Sequence, residues 1–162
     1  MKQLFSELYG FVIFDPVVLE DYLKNNCLNN NDILSYFTES EHGDIVTRLG
    51  IIIPIFNLPP DYYSFEVGSN NHIMNALKVS DGWLIKTVSG ELKIIGLGYL
   101  KDKKTISNAP SVVVNLKKGY YNVCITSFYK SETIPSFILT FNSSCSNPQF
   151  KGDIETDYGF DD

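Results

Sequence analysis

Apolar residues recur at helical spacing in the first part of the chain. A short apolar run, residues 11–14, precedes Asp15 and Pro16, which form an N-cap and the residue favoured in the first helical turn. The apolar positions that follow lie three or four residues apart, the spacing of a buried helical face: Val18, Leu19, Tyr22 and Leu23. The pattern therefore predicts a helix from about residue 16 to residue 25.

The stretch after this helix is polar and then becomes β-branched. Asparagines between residues 25 and 31 suit turns and caps, and NDILSYF predicts one or two helical turns behind Asn31 or Asp32. The sequence TESEHGD predicts a polar, acidic loop. Residues 45–58, IVTRLGIIIPIFNL, predict a strand because they are rich in β-branched side chains. Pro54 cannot donate to a ladder, so it indicates an edge, a bulge or a strand break.

Strand patterns dominate the rest of the chain. YYSFEV alternates and predicts a strand, whereas HIMNALKVSD fits either a short helix or a strand. WLIKTV is followed by a turn at Ser89-Gly90 and then by ELKIIGLGYL. SVVVNL is followed by a turn at residues 117–119, then by YYNVCITSFY and SFILTFN. Short strands joined by short turns predict an antiparallel meander built from hairpins.

The predicted fold is a single α+β domain, residues 1–162, that is mainly β. We expect an antiparallel sheet, as a sandwich or a strongly curved meander, with one or two short N-terminal helices. On one predicted strand the alternation assigns one set of residues to the core, namely Tyr121, Val123, Ile125 and Ser127. Residues 151–162 form a separate acidic C-terminal tail.

Composition and cysteine usage narrow the class of protein. The chain of 162 residues is 44% hydrophobic and 14% aromatic, which argues against disorder. No apolar run is long enough for a transmembrane helix, and the first residues lack the pattern of a secretory signal, so we expect cytoplasmic residence. Cys27, Cys124 and Cys145 form no CxxC pair, which predicts reduced thiols rather than a zinc site or a disulfide framework.

Charge is distributed unevenly along the chain. Residues 1–66 carry ten acids against three bases, and residues 67–150 carry nine lysines against four acids. The tail carries five acids against one lysine, and the formal net charge is −6. Nucleic acids and anionic membranes are bound by clustered cations, so the acidic balance disfavours both as main partners. It suits a basic protein partner, because complementary potentials speed encounter. Solubility alone is the other explanation.

Residues with catalytic potential are few and scattered. His42 lies in the acidic stretch with Glu39, Glu41 and Asp44, and His72 lies in SNNHIM. The GLGYLK stretch lacks the third glycine of a dinucleotide-binding loop, and no P-loop, GxSxG or HExxH sequence is present. We therefore predict neither an enzyme, nor a cofactor, nor a metal site.

Adjacent tyrosines provide a test of strand orientation. Neighbouring residues in a strand face opposite sides, so one tyrosine of Tyr62-Tyr63 and one of Tyr120-Tyr121 should be core and the other surface. A surface tyrosine can anchor an interface.

Residues 81–141 resemble a known class of bacterial β-proteins. DGWLIKTVSGELKIIGLGYL is followed by VVVNLKKGYYNVCITSF, in which a Gly-Tyr turn leads into a strand after a Val-rich strand. In this they resemble immunity proteins of polymorphic-toxin and contact-dependent growth inhibition systems. The resemblance implies a protein that binds and neutralises one cognate toxin without catalysing a reaction.

The charge pattern fits that implication, since a nuclease toxin binds phosphates and presents a basic cleft. We expect the contact surface in one of two acidic segments, the loop or the tail, with Tyr158 as an anchor among the carboxylates. The residues expected to bind the toxin are Glu39, Glu41, Asp44, Asp153, Glu155, Asp157 and Tyr158.

Two other functions stay open at this stage. A β-barrel or sandwich could bind a small molecule in an interior cavity lined by aromatic residues. A hydrolase could use two scattered carboxylates in a cleft with perturbed pKa values.

Overall fold

Two β-sheets and a layer of short helices make up the fold. A computed structural model describes residues 2–26, 28, 30–68, 75–144 and 148–161. The α-helices are α1 (Pro16–Asn25), α2 (Ile33–Thr38) and α3 (His42–Arg48). The strands are β1 (Gln3–Phe5), β2 (Phe11–Phe14), β3 (Ile52–Ile55), β4 (Tyr62–Val67), β5 (Lys78–Thr87), β6 (Glu91–Gly96), β7 (Ser111–Asn115), β8 (Gly119–Lys130) and β9 (Ile134–Ser143). Short 3-10 helices cover Glu7–Tyr9, Leu97–Lys101 and Lys103–Asn108.

The strands form a five-stranded sheet and a four-stranded sheet. The first, sheet A, has the order β1-β4-β9-β8-β5, and the second, sheet B, has the order β3-β2-β6-β7. All pairs are antiparallel except β4 and β9, which run parallel from the pair Ser64–Ser136 to the pair Val67–Leu139. The predicted class, α+β and mainly β with short N-terminal helices, is confirmed.

Two of the predicted hairpins are wrong, because their consecutive strands belong to different sheets. The turn at Ser89-Gly90 leads from β5 in sheet A to β6 in sheet B, and residues 117–119 lead from β7 back to β8. Strand β5 instead pairs with β8, with a register shift between Ser80 and Trp83. The consecutive strands β6 and β7, and β8 and β9, do pair antiparallel as predicted. Alternation identifies a strand but carries no information about its partner.

The helices agree with the sequence prediction at α1 and α2. The side chain of Asp15 accepts a hydrogen bond from Val17 N, and that of Asp32 accepts one from Ser35 N. The predicted loop TESEHGD shrinks to residues 39–41, because α2 ends at Thr38 and His42 begins α3, and residues 45–48 continue α3 as helix rather than strand. Asp44 and Arg48, one turn apart, form an ion pair with Nε and Oδ2 at 2.8 Å. Val46 and Thr47 of the same helix are buried, and their packing stabilises a helix whose other residues are mostly polar.

Strand β3 is shorter than the predicted strand and lies at one edge of sheet B, with Pro54 facing Val12 of β2. An edge position accommodates a residue that has no N–H, as expected. Strand β6 also ends earlier than predicted, because Leu97 starts a 3-10 helix.

Two hydrophobic clusters share sheet B. One cluster fills the space between the sheets and includes Phe11 and Ile13 of β2. The other packs α1, α2 and α3 on the outer face of sheet B and includes Val12 and Phe14. Side chains of the first cluster occupy the space between the sheets, where the alternative function expects a ligand cavity.

The predicted orientation of side chains along the strands is confirmed. The core set on β8, Tyr121, Val123, Ile125 and Ser127, is buried. Tyr62 is 56% exposed whereas Tyr63 is fully buried. Cys124 is buried, while Cys27 and Cys145 lie outside the described residues. In the described part of the chain, no helix is both long enough and apolar enough to span a membrane.

Candidate functional site

The acidic tail alternates between buried and exposed positions. Residues 152, 154, 156, 158 and 160 are buried or half-buried, and every residue between them is exposed. The exposed positions carry the acids Asp153, Glu155, Asp157 and Asp161. Residues 154 and 155 form a turn, in which Thr156 N donates to Asp153 O, so the segment is not a regular strand. The alternation exposes its carboxylates to solvent while its other side chains hold it to the protein.

Aromatic side chains anchor the end of the tail in the core between the sheets. Tyr158 is 3% exposed, and its ring lies edge-on to that of Phe137 with centroids 5.3 Å apart. Phe160 contacts the rings of Tyr63 and Tyr129 at 5.2 and 5.4 Å. Burial raises the pKa of the Tyr158 hydroxyl, and the nearby Ser80 hydroxyl opposes this effect. The sequence prediction of Tyr158 as an exposed anchor is corrected, because the alternation places it on the inner side.

Hydrogen bonds to sheet A fix the rest of the tail. Lys151 N donates to Gly82 O at 2.8 Å, and Ser127 Oγ donates to the carbonyl of Tyr158 at 2.6 Å. The hydroxyls of Ser80 and Thr156 lie 2.9 Å apart. Gly82 has φ +85°, and a Cβ there would lie 2.6 Å from the Lys151 carbonyl, so this contact requires glycine. The tail is therefore part of the folded domain.

The carboxylates of Asp153, Glu155, Asp157 and Asp161 form no ion pair with any described residue. Asp153 Oδ1 accepts a hydrogen bond from Glu155 N, and Asp157 Oδ1 accepts one from Gly159 N, both at 2.9 Å. These turn-like bonds orient two carboxylates and leave their second oxygens available. The arrangement concentrates uncompensated negative charge on a fixed edge.

The second predicted acidic segment lies at the junction of α2 and α3, which we call the α2–α3 corner (residues 39–44). Glu39 and Glu41 are exposed at the end of α2 and the start of α3. Asp44 is exposed too, but Arg48 neutralises it. At the base of the corner, His42 Nδ1 lies 2.5 Å from the Tyr22 hydroxyl, at hydrogen-bond distance. The histidine thus holds α3 against α1.

An apolar groove joins the two acidic segments. Its volume is about 320 Å³, and its walls come from α2, α3, β3, the 3-10 helix at Leu97–Lys101 and the tail. The lining residues are Leu34, Phe37, Thr38, Gly43, Asp44, Thr47, Ile52, Pro54, Phe56, Leu97, Leu100 and Ile154. Nearby, the guanidinium of Arg48 lies 5.5 Å from the centre of the Phe150 ring and so links α3 to the start of the tail. We call this groove and its acidic margins the acidic groove surface.

Two features bear on catalysis: clusters of metal-ligating side chains and carboxyl groups with a shifted pKa. No three side chains among His, Cys, Asp and Glu gather to hold a metal ion within the described ranges. His72 lies outside them. Burial raises the pKa of the Asp15 carboxyl, but its hydrogen bonds outweigh burial and lower it, and hydrogen bonds from Ser35 lower the pKa of Asp32. A general acid needs the opposite shift.

Sequence reasoning missed the groove and the role of Asp15. The apolar residues at every second position of the tail were the available signal for its docking. The groove has no such signal, because its walls come from five segments that are distant in sequence. Asp15 was predicted as a cap only. Its Oδ2 also accepts hydrogen bonds from Thr87 Oγ1, Val88 N, Ser89 N and Ser89 Oγ at 2.7–2.9 Å, which joins α1 to the β5–β6 turn.

Comparison with known proteins gives a match in structure. No protein-family model matches the chain, and no curated protein matches its sequence. A solved structure with the same overall fold is that of ComJ from Bacillus subtilis, an inhibitor of the DNA-degrading activity of NucA. The two chains are 9% identical, with a TM-score of 0.53, and the match covers 88% of this chain and 94% of ComJ.

Proposed function

We propose that this protein is an inhibitor of a nuclease, of the immunity-protein type, and that it binds its partner through the acidic groove surface. The observation that carries the proposal is the set of exposed carboxylates on an anchored tail, on a fold shared with a nuclease inhibitor. The protein itself performs no reaction in this proposal. Contact-dependent growth inhibition is not part of it, since the comparisons give that assignment no support. Cytoplasmic residence stays a prediction.

Electrostatics explains why such a surface suits a nuclease. An enzyme that binds the DNA backbone presents clustered cations, and these attract carboxylates as they attract phosphates. Carboxylates that are already fixed lose little conformational freedom on binding, so more of the attraction appears as affinity. The buried side chains of the tail supply that fixation.

A release-and-rescue experiment tests the proposal. The tagged protein is isolated from its own host at low ionic strength, its partners are eluted with salt, and the eluate is assayed for DNA degradation. We expect nuclease activity in the eluate and its suppression when the purified chain is added back at a stoichiometric amount. The matched control is the same chain with Asp153→Lys, Glu155→Lys and Asp157→Lys, which should suppress it much less. An eluate without nuclease activity, or with activity that the wild-type chain does not reduce, would overturn the proposal.

A further inference from the structure

We propose that the groove between α2, α3 and the tail receives one or two apolar side chains from a basic segment of the partner. This inference rests on the proposed function and adds the mode of recognition to it. The charged margins would then attract the segment, and the apolar walls would hold it.

The walls of the groove are suited to side chains rather than to an added strand. Strand β3 forms the edge of sheet B beside the groove, and Pro54 removes a backbone donor from that edge. A partner strand could not complete a regular ladder there. An occupant of the groove would therefore contact the lining side chains, most of which are apolar.

The volume of the groove indicates a small apolar occupant. At about 320 Å³ it lies at the lower end of the roughly 300–1,000 Å³ typical of ligand pockets. Half-buried side chains such as Leu34, Phe56 and Ile154 keep part of their apolar surface in contact with water. Covering that surface would contribute about 25 cal/mol per Å² of apolar area. Interface energy is commonly concentrated in such anchored side chains.

The charges at the margins select a basic segment. Asp153 and Glu155 flank Ile154 on the tail side, and Glu39 follows Thr38 on the helix side. The cations close in sequence to the lining residues are Arg48, which is paired with Asp44, Lys101 and Lys151. Acids therefore neighbour lining residues on both the tail side and the helix side. A segment that carries lysine or arginine around a leucine or another apolar residue is complementary to this pattern.

Synthetic peptides test the mode of recognition without a nuclease. The probe peptide has leucines at helical spacing on one face and lysines at all other positions. One comparison peptide replaces the leucines by serines, and the other replaces the lysines by glutamates. We expect calorimetry to detect binding of the probe and binding at least about tenfold weaker, roughly 1.4 kcal/mol, for each comparison peptide.

Variants of this chain locate the binding site. Thr38 is exposed at the groove wall, so Thr38→Trp should occupy the groove and weaken probe binding about tenfold, roughly 1.4 kcal/mol. Thr133→Trp places the same residue in the exposed β8–β9 turn and should leave binding unchanged. Glu155→Lys should weaken binding more than the matched reversal Glu91→Lys. Circular dichroism of each variant verifies that it is folded.

Three outcomes would overturn the inference: no binding of the probe, equal binding of the serine peptide, or full binding by the Thr38→Trp variant. Inhibition of the recovered nuclease by that variant at wild-type strength would also overturn it and leave the proposed function standing. Probe binding in the groove without any inhibition of the nuclease would overturn the proposed function and leave the mode of recognition standing.

Discussion

The carboxylate of Asp15 and those of the tail are the same chemical group in opposite surroundings. Asp15 is fully buried and accepts five hydrogen bonds from its own cap and from the β5–β6 turn. Asp153, Glu155 and Asp157 are exposed and form no ion pair within the described residues. The first carboxylate is committed to stability, whereas the others are available to a partner. A count of acids in a sequence therefore overstates the charge that a binding partner meets.

The largest effect on stability should come from Tyr158, the buried side chain that anchors the tail. Tyr158→Ala removes a buried aromatic ring, so we expect the free energy of unfolding to fall by about 3–5 kcal/mol. Urea denaturation measures the change. The control Tyr62→Ala, at a tyrosine that is largely exposed, should cost about 1 kcal/mol or less. Similar losses in the two variants would mean that the tail is not anchored as described.

Removal of the buried carboxylate should have the next largest effect. Asp15→Ala removes an N-cap and leaves the donors of Thr87, Val88 and Ser89 without their acceptor, which should cost about 3 kcal/mol. Asp21→Ala, an exposed acid on the same helix, should change stability by no more than about 0.5 kcal/mol. Denaturant titrations of both variants make the comparison. A small loss for Asp15→Ala would show that these donors find other partners.

Lowering the pH should reduce the contribution of Asp15 to the free energy of unfolding. Burial raises the pKa of its carboxyl, but the hydrogen bonds from Ser89, Thr87 and Val17 outweigh burial, so the folded pKa lies below 3.8. The stabilisation is complete above that value and is lost as the pH falls through the folded pKa. The difference in stability between the wild type and Asp15→Asn should therefore shrink as the pH is lowered below 3.8. A difference that is constant down to the lowest pH at which the protein folds would contradict this.

Neutralising the tail carboxylates should have the smallest effect on stability. It should have a large effect on the rate of association with the partner. The triple variant Asp153→Asn, Glu155→Gln, Asp157→Asn keeps the turn acceptors, so its stability should change by about 0.5 kcal/mol or less. Its association with the recovered nuclease should slow about tenfold at low salt. Stopped-flow measurements should show that salt reduces the difference from wild type.

A matched triple variant controls for net charge. Asp21→Asn, Glu91→Gln, Glu132→Gln removes the same number of charges at exposed positions outside the acidic groove surface. Its association should be faster than that of the tail variant. Equal rates would mean that total charge, and not its position, governs encounter.

Local patterns predicted the elements of the fold better than their arrangement. Helix α1 and its cap, strand β4 and the buried face of β8 follow from spacing that is visible within ten or so residues. The pairing partner of β5 does not follow from local spacing, because it is β8, which is distant in sequence. Helix α3 was missed because its stability comes from burial of Val46 and Thr47 by distant residues.

The same limit applies to the candidate site. Its acids were predicted by residue, and whether they bind a partner stays a prediction. The burial of Tyr158 is predictable from its alternation with Ile154 and Phe160, which indicates that one side of the tail packs against the protein. The groove depends on five separate segments and could be found only in three dimensions.

The parallel pairing of β4 with β9 has a consequence for folding kinetics. It brings Ser64 and Ser136, 72 residues apart in sequence, to hydroxyl contact in the middle of sheet A. Closing the loop between them costs conformational entropy before the contact can form. Many other contacts in the fold also join residues that are distant in sequence. We therefore expect refolding on the slow side of the range for small domains, in roughly milliseconds to seconds.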